Sequence, residues 1–153
     1  MLEIIDVYDR SIFAYHISLA CSAKDAVQTL KQALWERNLW ETDLKPMIRS
    51  DNGPQYVAKV FEEACEAWGC EYERIPPKTP NKNAHIESFH SILEDDCLGR
   101  EIFDSYQSAY EAVSNFIRSY NHIRIHSSLG YRPPAEFYRK HQEEGLAIKT
   151  VNL

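Results

Sequence analysis

The sequence predicts a mixed α/β domain in which strands and amphipathic helices follow one another along the chain. Three observations predict it: two β-rich runs open the chain, a third precedes a strong turn signal, and helical periodicity fills most of the rest. The 153 residues suffice for one domain with its own core. With 44% hydrophobic residues, no membrane-length apolar run and no secretory signal at Met1, we expect a soluble, cytoplasmic protein without a membrane partner.

The first two strands are predicted at residues 2–8 and 11–18, which are rich in β-branched and aromatic residues. Asp9-Arg10 separates the two runs, so that they form a hairpin. The second run is almost wholly apolar, which favours a covered strand.

A helix is predicted from Ser22 to Asn38, because Ser22 and Asp25 have the spacing of a capping box and apolar residues then recur at helical spacing. Met47–Ser50 is a short strand that runs into the turn signal Asp51-Asn52-Gly53-Pro54. Asp51 is therefore predicted at the end of a strand.

The next helix is predicted from Val57 to Trp68, with Gly69 as its stop, and residues 70–75 form another strand. Residues 76–83 contain three prolines and predict a poorly ordered loop. Helical spacing returns at Ala84 and continues to Cys97, which puts Glu87 in the first turn of a helix.

Two further helices complete the predicted fold. Ser108 and Glu111 have capping-box spacing and open one of them, and the other begins near Pro134. The three tryptophans are predicted to pack inside the domain: they are Trp35, Trp40 and Trp68.

Net charge and cysteine spacing give no support to two kinds of site, a nucleic-acid-binding surface and a zinc site. The net charge of −6 gives no support to nucleic-acid binding, and the local basic residues, taken by charge alone, fit an ordinary solvated surface. The four cysteines lack the spacing of a zinc site, so buried thiols are expected.

Asp51 and Glu87 are the residues that predict chemistry. They are separated by 35 residues and lie at the ends of two elements that can converge. Carboxylates from two elements can hold Mg²⁺ for phosphoryl transfer. On spacing alone, however, a turn aspartate and a helix N-terminal acid explain them equally well.

Three segments carry a resemblance to a known family: Ser50–Tyr56, Lys78–Phe89 and Tyr120–Pro134. They resemble successive signatures of insertion-sequence transposases with an integrase catalytic core, in the retroviral-integrase superfamily. The likeness extends from Ile4 to about Tyr138. It implies an RNase H-like mixed sheet flanked by helices, and a D, D, E triad in which Asp51 is the second ligand and Glu87 the third.

The resemblance also implies cofactor and partners. It implies Mg²⁺ or Mn²⁺, held weakly in this chain, and DNA at transposon ends and target. Among the segments it covers, it points to DNA contacts through Lys78, Lys82, Asn83, His85 and Arg124. Asn121, Arg124 and His126 can touch DNA phosphates, but they equally suit the C-terminus of a helix, where basic groups meet unpaired carbonyls.

Two departures from the family pattern affect these expectations. The first aspartate, on the central strand of the fold, has no counterpart here, so residues 1–140 are expected to be an N-terminally truncated core followed by a tail at 141–153. Asp6 and Asp9 could replace that ligand, but they match hairpin positions of the family. Glu94 is acidic where many relatives have a basic residue.

These departures leave alternatives open. The chain is expected to be inactive alone, and the rival interpretation is a non-catalytic remnant that acts as an interaction or dimerisation module. An RNase H-type nuclease is a third possibility. Open strand edges beside the absent strand predict one of two outcomes: the hairpin shifts into the vacant place, or a second copy covers the edges. We favour the second outcome, a homodimer with a contact through Leu2–Ile17.

Overall fold

A computed structural model of the protein describes residues 1–76, 83–100 and 102–145. Its elements in chain order are β1 (Leu2–Ile5), β2 (Ile12–His16), α1 (Ala23–Glu36), β3 (Met47–Ser50), α2 (Pro54–Val57), α3 (Lys59–Ala67), β4 (Glu71–Arg74), α4 (Ala84–Leu93), a π-helical segment (Glu94–Leu98), α5 (Tyr106–His122), a 3₁₀ turn (Ser127–Leu129) and α6 (Pro134–Glu143). This order confirms the predicted mixed α/β class.

The β1–β2 hairpin has shorter strands and a longer turn than predicted. Asp6 ends β1 because its carboxylate accepts a hydrogen bond from the Tyr8 N–H at 2.8 Å, which folds the chain back. The Arg10 N–H donates to the Asp6 carbonyl at 2.8 Å, and the Asp6 N–H donates to the Ser11 carbonyl at 2.9 Å. The turn is thus built by Asp6 rather than by Asp9-Arg10 alone.

β3 and β4 form a parallel pair, with Ser50 opposite Arg74. A parallel connection needs a crossover, which α2 and α3 supply. The single helix predicted over residues 57–68 is two helices, because Ala58 has extended backbone angles and starts a new helix after α2. β3 ends at Ser50 as predicted, so Asp51 follows it directly.

One compact unit comprises residues 1–4 and 13–84. Its buried core is drawn from β1, α1, α3 and the start of β4: Leu2, Ala26, Leu30, Leu34, Phe61, Cys65 and Cys70. The capping box of Ser22 and Asp25 starts α1 as predicted.

Two of the three tryptophans pack as predicted. The Trp40 and Trp68 rings lie 5.3 Å apart against the core. The prediction for Trp35 was wrong: it is 68% exposed. Residue 35 lies on the side of α1 opposite the buried stripe of Ala26, Leu30 and Ala33, so its ring faces away from the core.

The other compact unit comprises residues 5–12 and the chain from His85 onwards. Asn121 of α5 holds the hairpin end: its Oδ1 accepts from the Ile12 N–H at 2.9 Å and its Nδ2 donates to the Ile12 carbonyl at 2.7 Å. The Tyr8 hydroxyl and the His141 Nδ1 are joined by a hydrogen bond of 2.8 Å. Phe89 of α4 is fully buried against Tyr120.

The start of α5 differs from the prediction. Its capping box joins Ser105 and Ser108 rather than Ser108 and Glu111. Ser105 has the extended backbone of an N-cap, whereas Ser108 already lies in the helix and its hydroxyl donates to the Ser105 carbonyl at 2.8 Å. The predicted helix near Pro134 is confirmed.

The predicted loop at residues 76–83 falls almost entirely outside the described residues, as does most of the tail at 141–153. Cys65, Cys70 and Cys97 are buried, as expected, and Cys21 is half-buried. In the part of the chain that is described, no helix is both long and apolar enough to cross a bilayer.

Replacement of Asn121 by alanine should destabilise the protein by about 1–3 kcal/mol, because the backbone N–H and carbonyl of Ile12 lose both partners. Urea unfolding measures this change. The matched control is Asn115→Ala on the exposed face of the same helix, which should change stability by less than about 0.5 kcal/mol. Equal effects of the two substitutions would contradict the role of Asn121.

Candidate active site

Asp51 occupies a fixed position at the carboxyl end of the β3–β4 pair. Its Oδ1 accepts a hydrogen bond from the Gly53 N–H at 2.9 Å, while the neighbouring Asn52 donates from Nδ2 to the Ile75 carbonyl at 3.0 Å. The Asp51 side chain is exposed. The turn therefore presents a carboxylate to solvent from a rigid strand end.

Glu3 on β1 is a second carboxylate near Asp51, and it was not predicted as a site residue. Burial raises the pKa of Glu3 to about 7, and the negative charge of Asp51 raises it further, against the lowering effect of the N-terminal ammonium. Burial, followed by the charges of Glu3 and Asp51, raises the pKa of Tyr56 to about 12. The sequence feature that could have identified Glu3 is its position as the one acidic residue in the otherwise apolar run Leu2–Ile5.

Glu87 lies in the first turn of α4, as predicted. Phe89 and Leu93 are buried and fix the inner face of the helix, which leaves Glu87 exposed. A carboxylate in this turn is stabilised by the helix dipole.

Asp51 belongs to one compact unit and Glu87 to the other, so their convergence on one cation remains a prediction. Both offer the hard oxygen ligands that Mg²⁺ prefers. Over residues 1–76, 83–100 and 102–145, no group of three or more metal-binding side chains comes together.

Asp6 and Asp9, considered as replacement ligands, both act in the hairpin turn. Asp9 is completely buried, and its Oδ1 accepts from the N–H and the hydroxyl of Ser11 at 2.9 and 2.6 Å. Asp6 accepts from the Tyr8 N–H. These bonds agree with the hairpin positions that the resemblance gave them.

The predicted DNA contacts have different surroundings. Lys78 and Lys82 lie outside the described residues, and Asn83 directly precedes α4. Burial and the nearby positive charge of Arg10 lower the pKa of His85. Arg124 forms an ion pair with Asp96 at 2.9 Å, so a DNA phosphate would have to share its guanidinium.

Glu94, which is acidic where many relatives have a basic residue, lies at the junction between α4 and the π-helical segment. Glu94 is exposed at the start of the π-helical segment, and its carbonyl accepts from the Gly99 N–H at 2.7 Å. Asp95 and Asp96 follow it, so this end of α4 presents three consecutive acids. No residue pattern in Glu94–Leu98 indicates the π-helical geometry.

Two protein families match this chain, and the matched residues include the segments that carry Asp51 and Glu87. The Integrase core domain family matches residues 1–80, which is more than half of the chain. A second family described as Integrase core domain matches residues 68–134. The two matches together include both Asp51 and Glu87.

Curated relatives are proteins of bacterial insertion elements. The chain is 33% identical over 144 residues to the insertion element IS476 uncharacterized 39.2 kDa protein of Xanthomonas euvesicatoria, with 92% of this chain and 40% of that protein covered. It is 28% identical over 147 residues to transposase InsF for insertion sequence IS3A of Escherichia coli K12, and this match covers 90% of this chain and 47% of that protein. The chain thus spans less than half the length of these relatives.

Solved structures show the same fold. The catalytic core domain of BIV integrase is similar with a TM-score of 0.65 and 20% identity, over 94% of this chain and 87% of that one. The HTLV-2 integrase catalytic core domain in complex with magnesium, in a trimeric form, is similar with a TM-score of 0.60 and 14% identity. The match covers 87% of this chain and 80% of that one. These similarities confirm the predicted RNase H-like fold.

Replacement of Glu3 by glutamine should remove a pH-dependent loss of stability. The pKa of Glu3 in the folded protein, about 7, lies above the ordinary glutamate value of 4.5. The protein therefore loses stability as the pH rises from about 4.5 through 7, by up to about 3 kcal/mol. In urea unfolding, the difference between wild type and Glu3→Gln should grow between pH 5 and pH 8. The matched control is Glu71→Gln, at an exposed position on β4. A difference in stability between wild type and Glu3→Gln that stays constant with pH would contradict the raised pKa of Glu3.

Proposed function

Because the chain belongs to the Integrase core domain family, we propose that it is the catalytic core of a bacterial insertion-sequence transposase, which cleaves DNA and transfers strands. The observation that carries the proposal is the placement of Asp51 after β3 and Glu87 in the first turn of α4, with 35 residues between them. The site of action would be the bacterial cytoplasm.

Asp51 and Glu87 are the proposed metal ligands, with Mg²⁺ or Mn²⁺ as the cation. Both carboxylates are exposed and can therefore reach a hydrated ion. Mg²⁺ keeps several of its water ligands in most protein sites. When bound, the cation would stabilise charge on the attacking and leaving oxygens of a phosphodiester. Two protein carboxylates make a weak site, so DNA or a further ligand should strengthen it.

The role of the two carboxylates is to place the cation. Asp51 is fixed by the Gly53 N–H and by the pairing of β3 with β4, and Glu87 is fixed by the buried face of α4. Such positioning supplies much of the rate in phosphoryl transfer, where the protein forms no covalent bond with the substrate. The nucleophiles implied by the family resemblance are water and a DNA 3′-hydroxyl.

DNA is the proposed partner, both as transposon end and as target. The curated relatives are more than twice as long as the matched segment, and segments beyond it would contribute to binding. We propose that residues 1–140 form the core and 141–153 a tail. Since α6 extends to Glu143, the tail would begin within its last turn.

Titration with Mg²⁺ or Mn²⁺ should show weak binding by the wild-type chain. Asp51→Asn and Glu87→Gln should each lower the affinity by about tenfold or more, because each removes a charged oxygen ligand. Isothermal calorimetry or Mn²⁺ electron paramagnetic resonance measures the affinity. Asp43→Asn, at an exposed position, is the matched control and should leave it unchanged. Equal binding by all four proteins would refute the assignment.

Light scattering at micromolar concentration should show a homodimer. Across the described residues, β1 pairs only with β2 and β3 only with β4, which leaves open strand edges for a second copy. Val7→Lys, in the exposed part of the Leu2–Ile17 contact segment, should shift the population towards monomer. Val60→Lys on α3 is the control. A folded wild-type monomer, or equal effects of both substitutions, would contradict this interface.

A further inference from the structure

We propose that the exposed face of α5 pairs with the same face of a second copy of this chain, as an antiparallel contact about a two-fold axis. The axis passes between Ser114 and Asn115, near the middle of Tyr106–His122. The inference rests on the homodimer proposed above and adds to it a surface that the Leu2–Ile17 segment does not contain.

The inner side of α5 is covered by the core of its own unit. Val113, Ile117 and Tyr120 are buried, and Tyr120 packs against Phe89 of α4. The opposite side is exposed and carries residues that recur every three or four positions, so that they form one continuous stripe. This outer stripe consists of Gln107, Glu111, Asn115, Arg118 and His122.

The composition of the outer side differs from that of an ordinary solvated helix face. Glu111 and Arg118 are the only Asp, Glu, Lys or Arg residues among the 17 residues of α5, whereas the ten residues of α6 include four. Beside the stripe, the rings of Tyr106 and Tyr110 are 49% and 44% exposed, with centroids 6.4 Å apart. Few charges together with exposed tyrosines are typical of the core of a protein interface.

The two charges make the outer stripe complementary to itself. Glu111 and Arg118 have opposite signs and lie seven residues apart, at equal distances from the proposed axis. Their separation along the helix is about 10 Å, too far for an ion pair within one copy. In the antiparallel pair, Glu111 of each copy faces the partner's Arg118, which gives two symmetric ion pairs.

Both charged groups have capacity for a partner. Arg118 forms no ion pair with any residue that the structure describes. Glu111 accepts a hydrogen bond from the Gln107 Nε2 at 2.9 Å through Oε1, and its Oε2 can accept from a guanidinium. The ion pairs between copies would therefore form without breaking one inside the chain.

Open grooves lie at both ends of this face. The groove at the N-terminal end is lined in part by Tyr110 and Glu111, and the groove at the C-terminal end by Arg118 and Ile123, which is 71% exposed. Antiparallel pairing places the N-terminal groove of one copy against the C-terminal groove of the other. Tyr110 and Ile123 thus supply apolar surface to the contact.

The area of this face indicates that α5 acts together with the Leu2–Ile17 segment. A helix of 17 residues is about 25 Å long and 10–12 Å wide, so one face spans about 250–300 Å² of each copy. A stable interface of standard size buries about 800 Å² per partner. The two surfaces are directly connected, since Asn121 of α5 is bonded to the backbone of Ile12.

The test measures the dimer dissociation constant of the full chain by analytical ultracentrifugation. Glu111→Arg and Arg118→Glu should each weaken the dimer at least about tenfold, because like charges then face each other twice across the axis. An equimolar mixture of the two variants should regain the wild-type constant, because opposite charges face each other again. The double variant with both charges exchanged should regain it for the same reason.

The matched control is Arg139→Glu, a charge reversal on exposed α6, which should leave the dissociation constant unchanged. Circular dichroism of every variant checks that the helices still form. A constant that changes equally in Arg139→Glu and Arg118→Glu would show a general effect of charge and overturn the α5 contact.

Two further outcomes would also overturn the α5 contact: an unchanged constant in both single variants, or a loss that neither the mixture nor the double variant restores. If Val7→Lys still weakens the dimer in that case, the Leu2–Ile17 interface stands. A wild-type chain that stays monomeric would overturn both contacts, and the metal titration decides the proposed transposase function independently of either.

Discussion

The pairing of the Asn121 side chain with both backbone groups of Ile12 is the constraint on which the unit containing Glu87 depends. It joins segments 109 residues apart in sequence and replaces hydrogen bonds that a neighbouring strand would supply. Tyr8 and His141 extend the attachment to α6. With the turn fixed, α4 and α5 can bury Phe89 and Tyr120 between them, and Glu87 is left on the outer face of α4.

The signals that predicted the fold were local. Helical spacing and the Ser22–Asp25 capping box placed α1, and the Asp51 turn placed the end of β3. Predictions failed where two local patterns competed. Ser105 and Ser108 both suit an N-cap, and only the backbone angles decide between them. Trp35 is apolar but lies off the buried stripe, which residue type alone does not reveal.

For the candidate site, the resemblance supplied Asp51 and Glu87, and the structure supplied their surroundings. The raised pKa of Glu3 depends on its burial and on the charge of Asp51, which is distant in sequence. Asn121 was expected either to touch DNA or to end a helix, and neither alternative included a bond to β2. Long-range contacts of this kind leave no periodic pattern in one sequence.

The central claim is that Asp51 and Glu87, held by different elements, bind one cation. Paramagnetic broadening by substoichiometric Mn²⁺ in the NMR spectrum of the full chain tests it most directly, because the effect depends steeply on distance from the ion. The account predicts that amide signals around both residues broaden together, and that either Asp51→Asn or Glu87→Gln abolishes both effects. Broadening around only one of them, or around each independently of the other, would contradict it.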